Sequence, residues 1–172
     1  MKHLPIRPLV PAILCAATAA SVCAPHALSA PPSQLFKSGY DLCKAASLGA
    51  VRTAGGQQYL PGRFDSLVCN WERQDFKAGV TLALIRGAQA TAVKSELAAV
   101  HGTVAGPAGS TLRSTKLPGA NVAVIETLPH LNGQTSKAIL LVYSQGVVHI
   151  SMTAPGSLAD SRLVAIADAL TR

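Results

Sequence analysis

Aromatic side chains are scarce in this chain: they make up 4% of the sequence, with one tryptophan. A surface that holds sugars or nucleobases presents a row of rings for stacking. Here Tyr59, Phe64, Trp71 and Tyr143 are the candidates, and they fall on separate segments. Charge is also sparse, at 13% of residues with eight acids. Acid-base cleavage of glycosides needs two carboxylates across a cleft. Most of these acids stand where exposed faces and turns are expected; Glu126, late in an apolar stretch, is the exception, and a neighbouring lysine or arginine at the strand end is its expected partner. The basic residues are scattered singly, so there is no electrostatic stripe for nucleic acid. The chain has no Gly-x-Ser-x-Gly, no His-Glu-x-x-His and no glycine-rich loop ending in Lys-Ser or Lys-Thr. His101, His130 and His149 lie far apart on different elements, so neither a metal nor a cofactor is expected.

What is present begins with the amino terminus. Lys2 and Arg7 precede an apolar run, Leu9 to Ala20, and then small residues to Ser29. A charged start, a short apolar run and a small-residue exit predict a secretory signal peptide over residues 1–29. The run is too short for a bilayer, which takes about 20 residues. Pro5, Pro8 and Pro11 argue against a buried helix. Cys15 and Cys23 are poor lipidation sites, because Leu14 and Val22 precede them. The expected product is one exported domain, residues 30–172, periplasmic or secreted. Loss of Lys2 and Arg7 leaves 13 basic residues against eight acids, a net charge of about +5, mild enough to give weak attraction to anionic surfaces. Two cysteines remain, Cys43 and Cys69. An even count in an oxidising compartment predicts a disulfide.

Along this domain, Ser33 to about Ser47 reads as a first helix stopped by Gly49. Gly55-Gly56 and Pro61-Gly62 bound a surface loop with Gln57, Gln58, Tyr59 and Arg63 as candidate interaction residues. Leu67 to Arg73 alternates as a strand that places Cys69 and Trp71 on one face. Asp75 to Lys77 turns the chain into Val80 to Arg86, whose continuous apolar character suits a central strand. Ala88 to His101 carries a helical stripe of Ala90, Val93, Leu97 and Val100. Residues 102–109 read as a glycine-containing loop. Short strands follow at Ser110 to Thr115 and Asn121 to Thr127, then a hairpin of Lys137 to Ser144 and Val147 to Thr153 around Gln145-Gly146. A last helix follows Ser157, with Leu163, Ile166, Ala167 and Leu170 in line. Strands and helices do not alternate regularly. The expected fold is therefore α+β, an antiparallel sheet of about five to six strands with helices packed on it and one disulfide.

Asp41-Leu42-Cys43 on a first helix, then Cys69-Asn70-Trp71 on the following strand, with this element order, resembles small exported proteins of unknown function found as actinobacterial lipoproteins with a Cys…Cys-x-Trp layout. The resemblance covers most of the domain and implies its fold more than an activity. Without a suitable lipidation cysteine, it does not imply membrane anchoring. Three functional readings follow. The first is a noncatalytic binding domain that contacts another envelope or secreted protein, as an inhibitor, an immunity protein or a secretion accessory. The second is a small-ligand or lipid carrier with a pocket between sheet and helices. The third is an enzyme whose site is dispersed in sequence, with His149 or Glu126 as its chemistry.

Overall fold

The computed structural model describes residues 32–45, 48–56, 58–65 and 68–171. The expected signal peptide and Gln57 lie outside the described residues. Three short helices come first among the described residues, α1 (Pro32–Leu35), α2 (Leu42–Ala45) and α3 (Leu48–Gly55). A meander follows: β1 (Arg63–Asp65), β2 (Val68–Glu72) and β3 (Gly79–Ile85). Helix α4 (Gly87–Ala98) then leads to a second meander. Its strands are β4 (Thr103–Ala105), β5 (Thr111–Thr115), β6 (Val122–Thr127), β7 (Gln134–Tyr143) and β8 (Gly146–Pro155). Helix α5 (Asp160–Thr171) closes the chain.

The fold is α+β. The strands form one sheet in the order β1-β2-β3-β8-β7-β6-β5-β4, and every neighbouring pair is antiparallel. The two meanders join where β3 pairs with β8, from Gly79↔Thr153 to Ile85↔Val147. The sheet has eight strands rather than five to six. The extra ones include β1 and β4, of three residues each, too short to show a period of two. β4 occupies part of what reads as a loop, and all three of its residues are exposed.

The inner face carries the main core. Trp71, Leu82, Ile125, Ile139, Leu141 and Ile150 meet α3 and α5 through Val51, Leu163, Ile166 and Leu170. Each such side chain contributes about 1.5–3 kcal/mol when fully buried. The outer face carries a smaller cluster beneath α4, in which Ala90, Leu97 and Val100 pack on Val124, Val142 and Val147. The sequence stripe on α4 therefore faces the sheet. Strand β3 alternates between the two faces, with Val80, Leu82 and Leu84 buried on the inner one.

The first helix departs from its expectation. It breaks into α1 and α2 around Gly39, whose φ of +72° lies in the left-handed region. The Asp41 side chain then accepts a hydrogen bond from the Cys43 N–H (2.9 Å), which restarts the helix. Gly49 lies inside α3 and stops nothing. The β7–β8 turn is Ser144-Gln145, one residue earlier than expected, since Tyr143 pairs with Gly146.

Cys43 and Cys69 are bonded, with their Cα atoms 5.3 Å apart. Cys69 and Trp71 are both fully buried on one face of β2. Gly62 crosses over them so closely that a Cβ there would come within 2.6 Å of Trp71 Nε1 and 2.7 Å of Cys69 Sγ. The bridge thus ties α2 to the start of the sheet beneath the loop that precedes β1.

Candidate interaction surface

Strand register brings four connections to one end of the sheet. The β2–β3 turn ends at Gly79, opposite Thr153. The β6–β7 loop meets Pro155 through Gln134. The β4–β5 turn runs into Thr111, opposite Thr127. The chain leaves β8 for α5 at the same end. Among the described residues the exposed large hydrophobic side chains are Phe76, Leu131, Leu128 and Val104. The first three stand on these connections, and Val104 is on the adjacent edge strand β4.

Phe76 is 72% exposed. Its turn is built to hold it out. Arg73 donates two hydrogen bonds to the Asp75 carboxylate, from Nε (2.7 Å) and Nη2 (2.5 Å). Asp75 also accepts the Lys77 N–H (3.1 Å), while the Phe76 N–H bonds to the Arg73 carbonyl (2.8 Å). The Arg73 hydrogen bond, then the Lys77 N–H, hold the Asp75 carboxyl down to about 2. Phe76 itself has φ +55°, unusual for a bulky side chain.

Leu131 is 70% exposed at the base of a tight hairpin. It exchanges backbone hydrogen bonds with Gln134 (3.2 and 2.9 Å) around Asn132-Gly133. Both turn residues have positive φ, +51° and +74°, as a type I′ turn requires. Thr135 Oγ1 donates to the Gly156 carbonyl (2.5 Å), bracing this loop against the β8–α5 connection. His130 Nδ1 lies 3.2 Å from the same hydroxyl. These apolar side chains sit on turns fixed by hydrogen bonds, so little conformational entropy is lost if they are covered.

The loop singled out from sequence is arranged differently. Gln58 is exposed, and its carbonyl accepts the Gln74 N–H (2.9 Å). Tyr59 is 1% exposed and belongs to the main core. Burial raises its phenol pKa, against the opposing effect of Arg73 and Arg162. It therefore anchors the loop and is not displayed. Arg52 Nε donates to the Tyr59 carbonyl (2.9 Å). The Arg63 backbone pairs with Asn70 at the sheet edge.

Glu126 and His149 come together on the outer face. Glu126 is opposite Ala138, Ala138 is opposite Ser151, and His149 follows two residues before Ser151 on the same face. Burial pushes the His149 pKa down, and the Glu126 carboxylate opposes this. Among the described residues no lysine or arginine forms an ion pair with Glu126, the partner expected for it. Arg113 and Lys137 are opposite Ile125 and Met152 on the inner face, where both pair with Asp160 at the start of α5. The other two histidines among the described residues sit elsewhere, His101 after α4 and His130 in the β6–β7 loop. Among the described residues no group of three His, Cys, Asp or Glu could hold a metal.

No family model matches the chain, and no curated protein matches it. Among solved structures, it is similar to the extracellular domain of PknH from Mycobacterium tuberculosis, with 13% identity over 70% of this chain and 67% of that chain and a TM-score of 0.32. Among the described residues no helix is long and apolar enough to cross a membrane.

Proposed function

We propose that this chain is an exported, noncatalytic binding domain that holds another envelope or secreted protein at the loop end of its sheet. The observation that carries the reading is the pair Phe76 and Leu131, about 70% exposed on two turns braced by hydrogen bonds. Contact sites on proteins gather aromatic and aliphatic anchors with charge at the rim. Here Arg73, Asp75 and Lys77 flank Phe76. The disulfide suits an oxidising compartment, in keeping with the signal peptide expected over residues 1–29. The resemblance to exported Cys…Cys-x-Trp proteins belongs to the same proposal.

The test is capture. The domain from Ala30, tagged at its C-terminus and exported with its disulfide formed, should retain one dominant protein at moderate salt. The double variant Phe76→Ser/Leu131→Ser should lose it while melting at the same temperature. Undiminished capture by that variant would place the contact elsewhere.

A further inference from the structure

The opposite end of the sheet carries a groove of about 620 Å³ between the exit of α4 and the β5–β6 segment. Its volume is that of small-molecule sites. Val100 from the outer cluster and Leu117 from the main core form its walls with Val122 and Ala120. Most of this lining is apolar.

The ionisable side chains at the groove are basic, and they stand beside the hydroxyls of Ser114 and Thr115. Lys116 and His101 line it, both exposed, and no acidic side chain does. Lys116 takes part in none of the ion pairs among the described residues, which are Arg73–Asp75, Arg113–Asp160 and Lys137–Asp160. Asn121 adds a side-chain amide, its own backbone N–H being bonded to the Val142 carbonyl (2.8 Å). An open, largely apolar groove bordered by an ammonium, an imidazole, an amide and two hydroxyls complements a molecule with an alkyl tail and an anionic head.

We infer that this groove binds a single-chain carboxylate amphiphile, a fatty acid, with its tail between Val100 and Leu117 and its carboxylate at Lys116. This site is independent of the protein contact proposed above, which uses the other end of the sheet. Calorimetric titration of the exported domain with decanoate below its micelle concentration tests it. Decanoate should bind about ten-fold more tightly than decanol, which has the tail without the charge, as a hydrogen bond to a charged group allows. Acetate, which has the charge without the tail, should bind no more tightly than decanol. Lys116→Met, a surface change, should bring decanoate to the level of decanol. Ala120→Trp should fill the groove and abolish binding of both while the domain still melts cooperatively, although packing of Ala120 against the core lets its melting temperature fall. No decanoate binding at millimolar concentration, equal binding of decanoate and decanol, or binding unaffected by either variant would overturn the assignment.

Discussion

Breaking the Cys43–Cys69 bridge is the perturbation whose size the structure defines best. The cysteines are 26 residues apart. Releasing a closed loop of that length returns entropy to the unfolded chain worth about 3.5 kcal/mol at 25 °C. Small domains are stable by only about 5–15 kcal/mol, so the loss is a large fraction. It falls on a weak region as well. Helices α1 and α2 are four residues each, far below the length at which a helix stands alone. Their anchorage depends on Leu35 and Leu42 in the core, on Arg86, which donates to the Leu35 and Lys37 carbonyls, on Phe36 against Tyr143, and on the bridge. Trp71, the single tryptophan, is fully buried beside Cys69 and reports unfolding by fluorescence. Urea titration of the oxidised domain and of Cys43→Ala/Cys69→Ala should show midpoints separated by about 2 M, for a slope of roughly 1.5 kcal/mol/M. The slope should rise in the variant, because its unfolded state is more open. A loss under about 1 kcal/mol would mean that the N-terminal helices hold without the bridge, and would refute this reasoning.

Phe76→Gly should change stability by less than about 1 kcal/mol, because relief of the left-handed strain offsets the added freedom of the unfolded chain; a loss above 2 kcal/mol in the same titration would mean that the ring is packed. Gly62→Ala should cost about 1–3 kcal/mol, since its methyl group meets the buried Trp71 edge and Cys69 sulfur, and an unchanged midpoint would contradict that crowding. The pH dependence follows from depressed pKa values, that of Asp75 in the exposed β2–β3 turn and those of two more enclosed groups, His149 and Asp160. Burial lowers that of His149. Burial opposes the shift of Asp160, but hydrogen bonds from Lys137 and Arg113 prevail and lower it. In both cases the unfolded chain binds the proton more readily, so stability is full above the unfolded pKa and falls on acidification. The His149 contribution should begin to be lost as pH drops below about 6.5, and that of Asp160 below about 3.8. His149→Gln should remove the first step from a series of melts, and a first step that survives would assign it to another group.

Much of this fold was legible because its longer elements repeat clearly. Alternation in β2 placed Cys69 and Trp71 together, and the spacing of Leu163, Ile166, Ala167 and Leu170 marked the buried side of α5. The α4 stripe was equally plain. Strands β1 and β4 were not, since three residues show no period. Closure of the sheet by β3 on β8 depends on partners some 70 residues apart, to which local pattern is blind. The burial of Tyr59 was missed for a related reason. Tyr59 stands in a stretch rich in turn residues and looks displayed, yet an isolated bridge to Arg73 turns it inward. Phe76 looked like part of a plain turn. Its signal was an aromatic residue set between Asp75 and Lys77 at a hairpin tip, where a polar residue or glycine is usual. Glu126 and His149 meet because β7 lies between their strands, a neighbourhood set by sheet order.

Hydrogen exchange on the captured complex tests the central claim most directly. The turn at residues 73–77 and the loop at 128–133 should gain protection together when the partner binds, while the outer face around His149 stays as it is in the free domain. Protection confined to other surfaces, with both turns unchanged, would contradict the account.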